Sequence, residues 1–548
     1  MVGAGGAGMS AAIGAARAGA ERVLLADKSL CGRSGATVMA QMTVAAALAE
    51  ESEDDWRLHL ADTLAAGRGL CEERLAALLC REAPSRIREM DAWRVGWARR
   101  ANGRIAQVTA PGHSRPRCCY VDFLDTGPAV AATLRRRIAR SGAIRRASNL
   151  LLTDLVTAGG EIAGAVGLDL AAGAAVTIAA KAVVLATGGL TRIFARSSAS
   201  ANMGGDGYAL ALLAGAELID MEFVQFFPIG HLAPRLVGMD PILWDPFRYK
   251  LGGKLLNGAG AEFLDAYGSD ESAGYTTPRD RLTTAIATEV STGRGSPHGG
   301  VFLSFMHLPR ERLKAAFGPV IERLARNGID LARAPVEVAP IAHYHMGGVR
   351  VDERLQSRVP GLYAAGEAAG GANGANRLSG NAIPEALVFG ERAGHFATLH
   401  AAGRGQAWQS RAAAEALARL RALMAGQTGE IPAIALLEEL RALMGSAAGP
   451  FRDAKGLTAA LDRLREMRAL LPGLAVMPGA RMNPTLADGC ELRLSLLAAE
   501  AVTAAALARQ ESRGAHQRSD FPDPDPAFAR NQTVALDGTG ALTAGFAR

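Results

Sequence analysis

The residues that could do chemistry begin at the start of the chain. Val2-Gly3-Ala4-Gly5-Gly6-Ala7-Gly8 spells G-x-G-x-x-G. It runs into an apolar helical stretch to Ala20, then a short strand, Arg22 to Ala26, and an acid, Asp27, nineteen residues after Gly8. In such a pattern the first glycine permits a tight turn, the second lets the backbone approach a pyrophosphate, and the third lets helix pack on strand. The helix start adds N–H groups and partial positive charge. Asp27 is placed to accept from a ribose hydroxyl, so dinucleotide binding is the first expectation. Two further glycine turns follow strand-like segments. Ala182 to Leu185 ends in Ala186-Thr187-Gly188-Gly189, and Gly361-Leu362-Tyr363-Ala364-Ala365-Gly366-Glu367 is a short strand, then glycine, then an acid. The second suits a cover over a ribityl chain, so the order favours a flavin nucleotide over a nicotinamide.

Elements must hold these turns in place. Leu150 to Thr157, Ile162 to Asp169 and Ala174 to Ala180 are β-like and separated by Gly159-Gly160 and Gly173, which predicts a small antiparallel meander. Residues 232–338 read as an insertion of mixed helices and turns. From Arg411 the chain is rich in Ala, Leu and Arg with helical periodicity, and after Pro522 it reads as loop. Only Met1 and Val2 precede Gly3, so either a start further upstream or a clipped central strand that weakens the cofactor site is expected.

The 548 residues exceed one ordinary domain. With 49% hydrophobic and 21% charged residues the chain is globular, and a net charge of +6 with 5% aromatics argues against nucleic-acid binding. Six lysines stand among 60 basic residues, so a lone arginine carries little functional weight. The six cysteines form no C-x-x-C pair, so no metal or iron–sulfur site is expected on this chain, and a reducing cytoplasm is the simplest setting. No membrane span and no signal peptide are expected.

Taken in order, these blocks resemble the flavoprotein subunits of succinate dehydrogenase and fumarate reductase, and L-aspartate oxidase. The resemblance covers most of the chain and rests on Gly3 to Gly8; Ala40-Gln41; Ala186 to Gly189; Gly204-Gly205-Asp206-Gly207; Met221-Glu222-Phe223-Val224-Gln225; Pro278-Arg279-Asp280; His343-Tyr344-His345-Met346-Gly347-Gly348; Gly374-Ala375-Asn376-Arg377-Leu378; and Glu511-Ser512-Arg513-Gly514-Ala515-His516. It implies an α/β fold. A Rossmann-like FAD-binding domain with the meander spans 1–231 and 339–410, an α+β capping domain is inserted at 232–338, and a C-terminal helical region with its tail fills 411–548. It implies FAD held by Gly3, Gly5, Gly8, Asp27, Lys28, Thr37, Ala40, Gln41, Ala186, Gly188, Asp206 and Glu367, with Asn381, Ala382 and Ile383 beside the isoalloxazine. Relatives that bind FAD covalently do so through a histidine. That position is Ala36 here, so the FAD is expected to be noncovalent.

The family moves a hydride between flavin N5 and a carbon next to a carboxylate. The resemblance implies Arg377 and His343 as the carboxylate clamp, in keeping with the bidentate match of guanidinium to carboxylate, and Arg279 as the proton-transfer residue. Gln41, Phe227, His231 and His345 are the further pocket candidates. His113 is read as packing over the flavin, and Cys118-Cys119 as structural. Three departures stand out. Gln225-Phe226-Phe227-Pro228 has Phe where relatives have a carboxylate-binding His, with His231 as the nearest substitute. Pro246 occupies the place of a relay Glu, beside Asp245. Gln41-Met42-Thr43 replaces Gln-Gly-Gly.

An apolar wall at Phe227 leaves a second carboxylate poorly solvated. The expected substrate is therefore a small carboxylate other than plain succinate or fumarate. The competing readings are an L-aspartate oxidase-like amino-acid oxidase and a flavin-binding electron-relay subunit without dicarboxylate chemistry. The electron partner is expected to be a quinone, oxygen or a separate iron–sulfur subunit. The expected location is cytoplasmic, or peripheral to the inner membrane through a partner.

Overall fold

Val2 lies between two parallel strands. It bridges Ala26 on one side and Leu185 on the other, with Gly3 N–H donating to Ala26 O at 2.8 Å and Ala186 N–H to Val2 O at 2.8 Å. Outward from it, Val23–Ala26 pairs with Ile144–Ala147 and Val183–Leu185 pairs with Leu362–Ala364, all parallel. The result is a parallel sheet whose inner strands are buried on both faces, as such sheets require. Helices Gly6–Arg17, Thr126–Ala139 and Ala382–Ala401 cover it.

A computed structural model describes residues 1–548 apart from 123, 238–241, 245–247, 249–250, 269–278, 409, 480 and 548, and apart from the side chains of 279 and 410. The described residues form two compact units, Met1–Val224 with Tyr344–Arg548, and Gln225–His343.

In the first unit, helices Gly6–Arg17 and Ala382–Ala401 run parallel in near-backbone contact. A Cβ on Gly394 would meet Ala11 O at 1.9 Å, and one on Gly390 would meet Ala7 O at 2.4 Å. Only glycine permits that approach. A three-stranded antiparallel sheet, Leu150–Ala158, Glu161–Asp169 and Ala174–Ala179, turns at Gly159-Gly160 and Gly173, all at positive φ.

Four C-terminal helices, Ser410–Met424, Ala433–Ala447, Ala454–Ala469 and Pro484–Ala508, follow. The segment after Pro522 is not all loop: Gln532–Leu536 and Leu542–Phe546 form an antiparallel hairpin. Its first strand pairs with Leu218–Ile219, some three hundred residues earlier, and Asp537 Oδ1 accepts from the Thr539 and Ala541 N–H groups to close the turn. Tertiary pairing, which local periodicity does not report, makes this strand. The same C-terminal region is tied down by buried charges. Arg509 donates to Glu222 at 2.5 Å and to Glu511 at 2.9 Å, and Arg452 donates to Glu222 O at 2.6 Å.

The second unit is built on a sheet ordered Val224–Ala233, Val336–His345, Val301–Ser304, Lys254–Leu256. Helices Arg279–Ser291, Arg310–Phe317 and Val320–Arg326 accompany it. Trp244, Phe305 and Phe317 pack edge and tilt in its core. Among the described residues, no helix is long and apolar enough to cross a membrane.

Candidate functional site

The glycine turn has the shape its spacing predicts. Gly3 sits at φ +94°, and a Cβ there would meet Ala186 O at 2.3 Å. A Cβ on Gly8 would meet Gly3 O at 1.8 Å, whereas one on Gly5 would have only Thr37 Oγ1, at 4.0 Å. Two glycines are therefore needed by the fold, and the third keeps the face of the turn open. Helix Gly6–Arg17 starts there with no side-chain cap, which leaves the anion-attracting end of the helix to the turn.

Thr37 Oγ1 accepts from Gly6 N–H at 3.1 Å, and Ala40 O accepts from Gly127 N–H at 2.8 Å. Asp27, buried, accepts from Ala4 N–H at 2.8 Å, from Ser29 N–H at 2.8 Å, and from the hydroxyls of Ser29 and Ser34 at 3.1 and 3.3 Å. Its carboxylate thus fixes the turn. Three of these donors go to Oδ1 and one to Oδ2, so Oδ2 keeps an acceptor site that a ribose hydroxyl would use.

Lys28 and Asp206 meet at 3.4 Å, and Lys28 also pairs with Glu491 of helix Pro484–Ala508 at 3.0 Å. Burial works against the Lys28 ammonium, but Asp206 and Glu491 outweigh it and raise its pKa. Asp206 opens helix Asp206–Leu213 and is 8% exposed. Burial raises its pKa against the pull of Lys28. Among the described residues its buried Oδ1 has no hydrogen-bond partner, a cost of about 1–3 kcal/mol that a donating ligand hydroxyl would remove. Gly188, at φ +75°, lies against Met203 beside this region.

Helix Ala382–Ala401 brings its own N-terminus to the same place. Ala386 Cβ lies 3.5 Å from where a Gly6 Cβ would be, and Asn381, Ala382 and Ile383 form the helix start. The first two turns of helix Ala382–Ala401 thus run beside the start of helix Gly6–Arg17, and its N-terminus adds a second positive helix end. Nearby, Glu367 accepts from His345 N–H at 3.0 Å, and burial pushes its carboxyl up to about 8. The Tyr208 hydroxyl donates to Glu367 O at 2.6 Å. Arg377 is 5% exposed, donates to Leu378 O at 3.2 Å, and lies over the Tyr344 ring at 4.3 Å. Tyr344 donates to Glu385, which also accepts from Asn373 at 3.0 Å.

Tyr344, Glu385 and Tyr208 are not among the residues expected from sequence. Glu385 has one signal, a lone charge inside the apolar run Ala382-Ile383-Pro384-Glu385-Ala386-Leu387-Val388-Phe389.

His345 is buried in the first unit, 3.0 Å from Met221 O and 3.2 Å from the Tyr208 hydroxyl. Burial lowers its pKa to about 4, so it is a neutral, locally bonded imidazole. Gln41 is half-buried.

The other pocket candidates lie in the second unit. Phe227 is fully buried, its ring edge-on to His343 at 5.3 Å. His231 accepts from Trp244 Nε1–H at 3.2 Å through Nδ1, so its Nε2 carries the proton and donates to Pro234 O at 2.5 Å. Both ring nitrogens are held inside this unit, and neither is left for a carboxylate. Arg279 begins helix Arg279–Ser291, but its side chain, with Asp245 and Pro246, lies outside the described residues. Among the described residues, no group of His, Cys, Asp or Glu is arranged to hold a metal ion.

Comparisons with known proteins match most of the chain. The family described as FAD binding domain matches residues 1–383, and fumarate reductase flavoprotein C-term matches 437–543. The chain is 34% identical to the fumarate reductase flavoprotein subunit of Mycobacterium tuberculosis over 100% of this chain and 96% of that one. It is 35% identical to the L-aspartate oxidase of Caulobacter vibrioides over 98% and 96%. A solved quinol fumarate reductase flavoprotein of E. coli superposes with a TM-score of 0.92 at 31% identity, covering 100% of this chain and 95% of that one.

Proposed function

The chain belongs to the fumarate reductase, succinate dehydrogenase and L-aspartate oxidase family of FAD-dependent oxidoreductases, and on that premise we propose that it transfers hydride at a carbon next to a carboxylate in a substrate other than plain succinate or fumarate. FAD supplies the hydride donor or acceptor. The residues present fit that cofactor. The turn is closed by Gly3 and Gly8 and left open at Gly5, helix Gly6–Arg17 starts at it, and Asp206 holds a buried oxygen with no hydrogen-bond partner among the described residues.

The observation that carries the substrate reading is Phe227. By the resemblance of Gln225-Phe226-Phe227-Pro228 it stands where a carboxylate-binding histidine is expected, and it is fully buried, edge-on to His343. A second carboxylate against that ring would lose its hydration without a partner, at a cost of a few kcal/mol. A substrate with one carboxylate and an apolar end avoids that cost.

In this reading Arg377 orients the carboxylate, its guanidinium plane set by the Tyr344 ring. His343 presents a hydrogen-bonding ring whose tilt Phe227 fixes. Arg279 moves the proton at the adjacent carbon. The FAD is noncovalent, since Ala36 offers no nucleophile. The proposed domains are a Rossmann-like flavin domain, 1–231 with 339–410, a cap, 232–338, and a helical region, 411–548; the compact second unit, Gln225–His343, extends that cap at both ends. The E. coli relative's name, quinol fumarate reductase, supports a quinone or quinol as electron partner, reached directly or through an iron–sulfur subunit. The proposed location is cytoplasmic, at the membrane through that partner.

One second reading has a specific observation behind it. The full-length match to an L-aspartate oxidase, with Ala36 in the linkage position, favours oxidation at a C–N bond. Reduced, FAD-loaded protein separates the readings. Reoxidation by an enoate with one carboxylate and an apolar end, faster than by fumarate, is expected. Bleaching of the oxidised protein by aspartate would select the oxidase reading, and reoxidation by fumarate at rates typical of the family would overturn the substrate proposal.

A further inference from the structure

The segment Ser379-Gly380-Asn381 leads into helix Ala382–Ala401 and is held at each residue from a different element. Gly380 O accepts from Ala45 N–H at 3.0 Å. Ser379 O lies 2.6 Å from His113 Nε2. Asn381, fully buried, has its Oδ1 2.9 Å from His59 Nε2, while its Nδ2 donates to Thr63 Oγ1 at 3.1 Å. Thr63 in turn donates to His59 O at 2.9 Å, so His59 and Thr63, four residues apart on helix Trp56–Ala66, grip both ends of one amide.

The tautomers follow from the partners. Arg117 has only donors and reaches His113 Nδ1 at 3.2 Å, so His113 carries its proton on Nε2 and donates it to Ser379 O. Arg117 is itself fixed by Asp54 at 3.0 Å and by Asp62. With Asn381 Nδ2 given to Thr63, Asn381 Oδ1 is an acceptor and His59 Nε2–H is its donor. Burial lowers the pKa of His59 to about 3 and that of His113 to about 4. Both rings therefore stay neutral at working pH and act as fixed donors.

We propose that His59 and His113 are positioning residues that lock Ser379–Asn381, and through it the start of helix Ala382–Ala401, against the flavin ring system. This rests on the reading that Asn381, Ala382 and Ile383 border that ring. A helix N-terminus favours negative charge, which the ring gains on reduction. A loosened helix start should make the bound flavin harder to reduce.

The test uses full-length protein loaded with FAD, read by the flavin midpoint potential, its visible spectrum and the FAD dissociation constant. His59→Leu and His113→Leu remove the donors. His59→Gln and His113→Gln place an amide N–H near the lost Nε2–H. The Leu variants are expected to lower the potential, shift the visible band and weaken FAD binding ten-fold or more, with both Gln variants restoring most of each change. Asn381→Ala tests the underlying reading, because it too should shift the band. An unshifted Asn381→Ala would fail that reading. A shifted Asn381→Ala with unshifted His59→Leu and His113→Leu would overturn the positioning role alone. If the Leu variants do not fold, the Gln variants decide: wild-type potential and spectrum support the role, and folded Gln variants with the flavin properties of Asn381→Ala contradict it.

Discussion

The guanidinium of Arg377 lies 4.3 Å from the centre of the Tyr344 ring, and the hydroxyl of that ring donates to Glu385. An arginine proposed to grip a carboxylate is thus oriented by an aromatic face, and the aromatic is oriented by a buried acid. Such a stack is worth about 0.5–2 kcal/mol, which corresponds to roughly 2- to 30-fold in affinity. Tyr344→Leu is expected to weaken carboxylate binding within that range, read from perturbation of the flavin spectrum. Tyr344→Phe, which keeps the ring, should weaken it less. Equal losses would mean that the hydroxyl, not the ring face, sets Arg377.

Asp206 predicts cofactor affinity. Its buried Oδ1 has no hydrogen-bond partner among the described residues, and a hydrogen bond to a charged group is worth about 1.5–3 kcal/mol. Asp206→Ala should weaken FAD binding roughly 10- to 150-fold, measured by quenching of flavin fluorescence during reconstitution. Unchanged affinity would remove Asp206 from the cradle.

Glu385 predicts a pH dependence of stability. Burial raises its folded pKa to about 7, against the opposing bonds from Tyr344 and Asn373, while an unfolded Glu titrates near about 4.3. Between those values the folded protein keeps a proton that the unfolded chain has lost. The contribution of Glu385 is therefore full below about pH 4.3, declines as pH rises to about 7, and is level above. Glu385→Gln cannot titrate. Its unfolding midpoint in denaturant, compared with wild type at each pH, should gain across that window and then hold constant. A constant difference throughout would place the Glu385 pKa at its ordinary value.

Arg509 predicts how firmly the C-terminal region is fastened. It is fully buried between Glu222 and Glu511, and removing one partner of a buried pair costs about 3–5 kcal/mol because the other charge remains. Arg509→Met should lower stability by about that amount in equilibrium denaturation. A loss under about 1 kcal/mol, the range of exposed pairs, would mean that water reaches the two carboxylates.

Local spacing makes the cradle legible. Gly3, Gly5, Gly8 and Asp27 sit within one strand–turn–helix–strand stretch, and their roles follow from covalent neighbourhood. The strands around Gly159-Gly160 and Gly173 are legible for the same reason, with Leu150–Ala158 ending one residue beyond its predicted end. What the sequence does not disclose depends on distant partners. The hairpin Gln532–Leu536 with Leu542–Phe546 exists because Leu218–Ile219 offers it an edge. By spacing His231 is a substitute carboxylate ligand, but in the fold Trp244 and Pro234 O claim its two nitrogens. His59 meets Asn381 across 322 residues, and no periodicity marks that contact. Spacing shows Asp27 as a ribose acceptor alone, and its second task, holding Ala4 N–H, emerges only once the turn is folded.

We propose FAD-dependent carbon–hydrogen chemistry with its second carboxylate site closed by Phe227. The most direct measurement is an anaerobic comparison of wild type and Phe227→His, each loaded with FAD, reduced with dithionite and mixed with fumarate. Slow reoxidation of the wild type, reoxidation at least ten-fold faster in Phe227→His, and yellow supernatants from both after acid precipitation are expected. Reoxidation of the wild type at least as fast as the variant would contradict the proposal.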